Sequence, residues 1–200
     1  MPLGAVLHTP RLLLRPYRTD DGNAVHQVIR RKEIFATTYA IPRNYPRSRV
    51  DWWFAMLDNQ RRNGTGCEYG VFCNRTGRYI GNCGLINIQR GQGAAEQRFF
   101  SAAISYFIDP DLWGKGYATE SAAAVLDLAF GQLHMHRITG RCMSINPASR
   151  RVMEKLGMRY EGTGRDELCK DGVYYDVDHL SILQDEYFSV PSSFAHPGHG

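Results

Sequence analysis

Residues 104 to 120, Ile-Ser-Tyr-Phe-Ile-Asp-Pro-Asp-Leu-Trp-Gly-Lys-Gly-Tyr-Ala-Thr-Glu, constrain this chain more than any other stretch. A β-type apolar run ends at Ile108, a turn bearing Pro110 follows, and Gly114-Lys115-Gly116 opens a long helical pattern. Small residues at a strand-to-helix turn let backbone N–H groups approach a ligand without interference from Cβ. The helix N-terminus adds positive partial charge. Such an arrangement suits phosphate. A mononucleotide P-loop is excluded, because it needs four residues between its glycines and then Gly-Lys-Ser/Thr. A dinucleotide fingerprint is excluded as well. Thr119 stands where its third glycine belongs, and the next strand-like run, Ile138 to Met143, carries Arg141 and no acid.

A second element lies downstream. Asn146 suits a helix N-cap and Pro147 the first helical position. Ala148, Val152 and Leu156 share one face, and Gly157 fits the residue just past the helix end. A capped helix at this distance from a strand–Gly-x-Gly–helix unit resembles the GNAT superfamily of acyl-CoA-dependent N-acyltransferases. Within it, the chain is most similar to the RimJ/RimL-type ribosomal-protein N-acetyltransferase branch. The resemblance runs from about Thr9 to about Leu183. Thr9 to Pro16, with Asp20-Asp21, is similar to the branch's opening strand and first-helix cap. Trp113 to Glu120 matches its pyrophosphate loop, and Asn146 to Met158 its cofactor-side helix, with Met158 where Phe is usual.

At 200 residues and 43% hydrophobic content, residues 1–188 are expected to form one domain with a full core. The net charge of +4 is mild and its acids are interspersed, so no nucleic-acid footprint is expected; the excess equally suits a polyanionic cofactor. Cys67, Cys73, Cys83, Cys142 and Cys169 are odd in number and lack Cys-x-x-Cys spacing, which indicates reduced thiols and no zinc site. No apolar run reaches membrane-spanning length and no signal peptide opens the chain, so a cytoplasmic protein with no membrane partner is expected. Residues 189–200, rich in Ser, Pro, Gly and His, read as a disordered tail, and His196 and His199 there as solvated rather than metal-bound.

Along the chain, Leu12 to Leu14 reads as a first strand, followed by a helix capped by Asp20 whose stripe is Ala24, Val25, Val28 and Ile29. Ser48 and Asp51 resemble a capping box for a second helix bearing Trp53, Phe54 and Leu57. Strands follow near Glu68–Cys73, Tyr79–Ile88 and Phe99–Ile108, with turns at 74–77 and 90–93. The helix after the Gly loop carries Ala118, Ala122, Val125, Leu126, Ala129, Phe130 and Leu133 on one face. Asp171-Gly172 marks a hairpin tip. The sum is an α+β, three-layer fold: a mixed, mostly antiparallel sheet flanked by helices, in agreement with the GNAT fold.

The resemblance implies acetyl-CoA as co-substrate, no metal, and a primary amine as acceptor. Backbone N–H groups of Gly114, Lys115, Gly116, Tyr117, Ala118 and Thr119, with Trp113 leading the loop, would hold the pyrophosphate. Lys115 would add charge or merely be solvated. Phe107 and Ile108 would pair their backbone with pantetheine and offer an N–H to the thioester oxygen, a contribution of about 3 kcal/mol. Asn146 would hydrogen-bond the pantetheine arm while capping its helix. The seventh residue after that Asn, often a proton-donating Tyr, is Met153 here. Ser149 then stands nearest the sulfur, as a hydrogen-bond donor to it or as plain helix surface. A thiol pKa of about 8.5 makes the thiolate a tolerable leaving group without a strong acid. Glu167 is the candidate base, although the branch's Glu aligns with Leu168, and a one-residue shift reverses a strand's face. Glu68, Glu96 and His179 are alternatives. Phe35, Tyr39, Tyr45 and the arginines of residues 30–49 form either a cleft wall or a packed loop.

Deprotonating an α-amine at pH 7 costs about 1 kcal/mol and a lysine side chain about 4.6 kcal/mol, which favours a protein N-terminus as acceptor. The expected activity is direct acetyl transfer in a ternary complex. Acetylation of a small amine such as a polyamine or antibiotic, and a non-catalytic acyl-CoA sensor, are the competing readings; homodimerisation is compatible with any of them.

Overall fold

In a computed structural model of the protein, the described residues are 3–92 and 98–189. Their strands are β1 (Leu7–His8), β2 (Leu12–Arg15), β3 (Cys67–Cys73), β4 (Tyr79–Gln92), β5 (Arg98–Ile108), β6 (Arg137–Met143), β7 (Arg159–Lys170) and β8 (Val173–Leu183). They form one sheet in the order β1-β2-β3-β4-β5-β6-β8-β7. All pairings are antiparallel except β5 with β6. The helices are α1 (Gly22–Ile29), α2 (Lys32–Thr37), α3 (Arg47–Asn63), α4 (Tyr117–Asp127), α5 (Pro147–Lys155) and α6 (Gln184–Ser189). No helix among them is long and apolar enough to cross a membrane.

Strand alternation gives the sheet two apolar faces. Leu12, Leu14, Tyr69, Val71 and Cys83 cluster with Val125, Leu126, Ala129 and Phe130 on the α4 side. Phe72, Tyr79 and Phe107 cluster with Val25, Val28, Ile29, Ile34 and Val50 on the α1–α3 side. This is the three-layer, mostly antiparallel architecture expected from the sequence.

The feature that positions the site is a split in the middle of the sheet. β5 and β6 pair at Ser101, Ala102 and Ala103 only, yet β5 runs on to Ile108 and β6 to Met143. Opposite the point of separation, β4 is bulged between Ile86 and Gln89, with Asn87 at φ 52°. An extra residue on one strand bends the pair and increases its twist. The bend carries the end of β5 away from β6. Helix α5 fills part of the gap: Met153 is 1% exposed, and a Cβ on Gly140 of β6 would lie 2.4 Å from its Sδ.

Several local details depart from expectation. The first helix is entered through a 3-10 turn at Thr19–Asp21, and Asp21 rather than Asp20 organises it. Asp21 accepts from Arg18 N–H at 2.7 Å and is held by Arg15 at 2.7 and 2.8 Å, a bidentate pair that Asp20 does not make. Ala24 is exposed. The Ser48/Asp51 capping box does not form, because α3 starts at Arg47 behind Pro46 and Asp51 binds Arg47 at 2.7 Å instead. Arg90 to Gln92 continue β4 rather than turn, while Gly93 and Glu96 lie outside the described residues. Beyond Asp127 the α4 helix widens into a π turn, Leu128–Gln132, which leaves Ala129, Phe130 and Leu133 all buried. Ser189 ends α6, and residues 190–200 lie outside the described residues. The hairpin tip forms as read, with Asp171 at φ 50° and Gly172 at φ 78°.

Close approach of the central strands depends on glycine. A Cβ on Gly84 of β4 would lie 2.3 Å from Cys67 O and from Glu68 Cα, both backbone atoms that cannot swing aside. Gly84→Ala is therefore expected to cost about 2 kcal/mol or more, read as a lowered midpoint in urea or thermal unfolding.

Candidate active site

On the open side of the split, a groove of about 350 Å³ runs between the end of β5, the N-terminus of α4 and one face of α5. Phe107, Ile108, Trp113, Gly114, Gly116, Tyr117, Ala118, Thr119, Asn146 and Ser149 all line it. Gly114 and Gly116 sit at φ 75° and 79°, where an L side chain is strained. The loop ends in α4, whose first intrahelical bond shown here is Glu120 N–H to Gly116 O at 3.0 Å. The N–H groups of Tyr117, Ala118 and Thr119 are the helix donors left for a ligand.

The loop is fastened from below. Glu120, 7% exposed, accepts from Thr9 Oγ1 at 2.6 Å, from Arg11 N–H at 2.9 Å and from Arg11 Nε at 2.5 Å. Arg11 Nη1 donates to Lys115 O at 2.9 Å and its guanidinium lies 4.5 Å from the centre of the Tyr117 ring. Lys115 does not line the groove; its Nζ donates back to Asp111 O at 3.3 Å.

Backbone direction at the end of β5 follows from its pairing. Asp109 N–H bonds Ile80 O at 2.7 Å, and Phe100 O accepts from His136 N–H at 2.8 Å on the other edge. Alternation along the strand then aims the backbone groups of Phe107 at β4 and those of Tyr106 and Ile108 into the split. Of the two residues expected to offer backbone to a ligand, only Ile108 has its backbone turned into the split. Its carbonyl is already taken by Trp113 Nε1 at 2.7 Å, which leaves its N–H without a partner on β6. Phe107 lines the groove but packs its ring into the α1–α3 core, 6.3 Å from the Trp53 ring.

A second cavity, about 630 Å³, opens on the α1–α3 side of the sheet. The α2–α3 loop, α3, the β4 bulge and the β7–β8 hairpin tip enclose it. Lys170 at the tip donates to Phe35 O and, at 2.5 Å, to Thr38 O, and Arg43 pairs with Asp171 at 3.4 Å. The hairpin is thereby strapped to α2 and roofs the cavity. Phe35, Tyr39 and Tyr45, read as cleft wall or packed loop, are cleft wall.

Thr38, Tyr106, Phe107 and Ser149 line both spaces. The groove and the cavity therefore meet at the split. There Tyr106 Oη donates to Ser149 O at 2.9 Å and lies 3.0 Å from Ser149 Oγ. Burial pushes the Tyr106 phenol above its ordinary range, so it stays a donor. Asn146 Oδ1 accepts from Ser149 N–H at 3.1 Å, and its Nδ2 donates to Thr37 O at 3.1 Å, joining α5 to α2.

The match to known families decides what this architecture is: residues 11–159 fit the model of the acetyltransferase (GNAT) domain. The chain belongs to the GNAT family. Its relatives include the probable N-acetyltransferase YjcK of Bacillus subtilis, 38% identical over 58% of this chain and 61% of that protein. The ribosomal protein uS5-alanine N-acetyltransferase of Escherichia coli is 27% identical over 60% of this chain and 59% of its own length. In these two alignments the chain spans about three-fifths of each relative. Among solved structures, Mycobacterium smegmatis RimJ in complex with CoA-disulfide superposes with a TM-score of 0.76 at 25% identity, over 96% of this chain and 91% of that one. The family match thus places the chain in GNAT, and ribosomal-protein N-acetyltransferases are among the proteins it is similar to.

Within this GNAT frame, two residues read from the sequence fall elsewhere. Glu167 lines neither space. Its oxygens are taken by Arg141 Nη2 at 2.7 Å and His179 Nε2 at 2.5 Å. The cause is a register shift between Gly164 and Leu168, with Asp166 at φ 51°, which removes Glu167 from strand alternation. His179 is occupied by the same contact. Sequence reading also missed Arg151 and Lys155, which line the groove with Ala148 and Val152. Their i, i+3, i+4, i+7 spacing was the available signal, but the apolar members alone suggested a buried face. Ala148 is exposed, and Met153 and Leu156 are the residues that pack inward.

Since Arg11 both neutralises the buried Glu120 and ties down the Lys115 carbonyl, Arg11→Ala is expected to cost about 1.5–3 kcal/mol. Thermal melting of the variant beside the parent checks this.

Proposed function

We propose that this protein moves an acetyl group from acetyl-CoA to the α-amine of a peptide or protein N-terminus, with both substrates bound at once. One observation carries the reading: the Gly-loop groove and the larger cavity converge on Ser149 and Tyr106, so each space can hold one substrate with its reacting end at the junction. Acetyl-CoA, when bound, supplies an activated thioester. The groove fits such a molecule by its donors, with α4 N–H groups at one end for pyrophosphate, Arg151 and Lys155 along the wall for further phosphate charge, and unpaired β5 backbone for pantetheine.

Each residue then has a defined task. Gly114, Gly116, Tyr117, Ala118 and Thr119 hold phosphate through backbone N–H groups, and Trp113 fixes the strand end beside them. Ile108 N–H faces the thioester oxygen. Asn146 keeps the α5 N-terminus at the split and presents its amide to the pantetheine arm. The Ser149 hydroxyl donates to the sulfur, with Tyr106 holding the residue in place. Met153 has no proton to give, and a thiolate with a conjugate-acid pKa of about 8.5 needs only a hydrogen bond to leave.

The acceptor class rests on the second cavity. An acid-lined cleft would suit a polyamine. Here Arg49, Arg141 and Lys170 stand with Glu68 and Asp171, and Asp171 is already paired with Arg43. Arg141 is likewise paired with Glu167, which leaves Arg49 and Lys170 against Glu68, and this balance disfavours a polycation. Tyr39, Tyr45, Trp52 and Trp53 supply aromatic wall for the first residues of a peptide. The named activity of the uS5-alanine relative supports the same class.

The deciding assay is CoA release from acetyl-CoA with peptides starting in free Ser or Ala, beside N-terminally blocked peptides containing Lys and beside spermidine. Release with the free N-termini alone is expected. Release with spermidine alone would move the assignment to small amines, and tight acetyl-CoA binding without any release would favour a sensor. Ser149→Ala is expected to lower kcat about tenfold, the worth of one hydrogen bond to a developing thiolate. Its acetyl-CoA Kd should stay within about threefold of the parent, because the phosphate and backbone contacts are untouched.

A further inference from the structure

The acceptor cavity contains a carboxylate that no cation among the described residues neutralises. Glu68 lies on β3 in one row with Gly84 of β4 and Ser105 of β5, all on the cavity face. Gly84 has no side chain to intervene, so the Ser105 hydroxyl stands near enough across the row to favour the charged form of the Glu68 carboxylate. From the other side Asn82 Nδ2 donates to Glu68 Oε1 at 2.7 Å.

The Asn82 amide is itself oriented from behind. Asn82 is 1% exposed, Tyr17 Oη donates to its Oδ1 at 2.7 Å, and the Tyr17 and Tyr79 hydroxyls lie 3.2 Å apart. Flipping the amide would turn its oxygen toward the carboxylate. A chain of hydrogen bonds thus ends on a carboxylate oxygen and fixes the direction in which Glu68 points.

The cations that share the cavity are engaged elsewhere. Arg141 is bound to Glu167, Lys170 to the Phe35 and Thr38 carbonyls, and Arg49 lies over the Tyr45 ring at 5.9 Å. The remaining titratable groups around Glu68 are Tyr39 from the α2–α3 loop, Asp171 from the hairpin, Tyr106 from β5, and Cys67 and Cys83 beside it on β3 and β4. None of these is a base, except Asp171, which Arg43 holds. Burial raises the proton affinity of Glu68 above the usual carboxylate range, and the Asn82 and Ser105 donors only partly oppose it.

We propose that Glu68 is the catalytic base of this enzyme, taking a proton from the incoming ammonium, and that Asn82, oriented by Tyr17, is its positioning residue. The inference rests on the acetyl-transfer reading above. In the step itself one N–H bond of the acceptor breaks and one O–H bond forms on Glu68. The lone pair stays on nitrogen and becomes the nucleophile, and the proton leaves to water at the cavity mouth after transfer. The assignment replaces Glu167 with a residue that faces the acceptor.

The test compares kcat/KM of the parent, Glu68→Gln and Asn82→Ala across pH with one free-N-terminal peptide, alongside acetyl-CoA affinity and Tm. An α-amine titrates near 7.7–8.0, so a variant without the base depends on amine that is already neutral. Glu68→Gln is expected to fall about 100-fold below the parent at pH 6.5 and to recover to within about tenfold by pH 9.5. Its acetyl-CoA affinity should be unchanged. Its Tm at pH 7.5 should be no lower, because Gln still accepts from Asn82 and no charge is buried. Asn82→Ala removes a donor to the charged form, so its acid limb should move to higher pH, the reverse of what loss of packing alone would give. A Glu68→Gln deficit that is absent or equal at every pH overturns the assignment. So does a fall in Tm that accounts for it. A parent enzyme that turns over no amine would overturn the transfer reading and the base with it, and it is recognised by the flat parent profile.

Discussion

Beyond Ala103 the backbone of β5 has, among the described residues, no strand to bond on one side, and the rest of the molecule is arranged around that deficit. Unpaired N–H and C=O groups in an interior are costly, so the fold gives each of them a use. Trp113 caps the Ile108 carbonyl, α5 drives Met153 into the gap, and the remaining groups open onto the groove. Both the groove and the larger cavity meet there because the sheet stops pairing. The β4 bulge at Asn87 is the small local cause of this large effect.

Three anchors then hold the split at a fixed width. Glu120 with Arg11 ties the Gly loop to the first strands. Asn146 and its contact with the Thr37 carbonyl tie α5 to α2, and Tyr106 ties α5 to β5 through Ser149. The last two join elements on opposite sides of the opening, so the groove is braced by polar contacts where the ladder is missing. The buried carboxylates divide by task. Glu120 is saturated by donors and a guanidinium and serves structure. Glu68 accepts from a neutral amide and meets no cation among the described residues, and burial there raises its proton affinity above the usual carboxylate range.

Much of this was legible in the sequence because the relevant signals are local. The Gly-x-Gly loop, the Asn146 cap, the Asp171-Gly172 hairpin tip and the alternation in β2 to β5 depend on neighbours within a few residues. What stayed hidden depends on partners far along the chain. Glu167 loses its place to a register shift in β7, and no pattern of residue types marks where a strand will buckle. Glu68 looks like an ordinary strand residue until Gly84 and Ser105 are brought beside it from two other strands. Arg151 and Lys155 look like solvated helix charge until β5 leaves β6 and exposes a groove against them. Asp21 outranked Asp20 because only Asp21 meets Arg15, a matter of geometry that adjacent identical residues cannot reveal.

The strap between Lys170 and the carbonyls of Phe35 and Thr38 has a consequence for biosynthesis. It joins residues more than 130 positions apart, and long-range closures of this kind are among the slowest events in folding. As the chain emerges from the ribosome, β1 to β6, the Gly loop and α5 are available well before the hairpin that roofs the larger cavity. A nascent molecule can thus assemble its Gly-loop groove while the larger cavity is still open to solvent on one side. The cavity closes last, when the C-terminal hairpin docks, so a chain cut short within that hairpin loses the cavity's roof together with the buried Val177, Leu180 and Ile182 of β8.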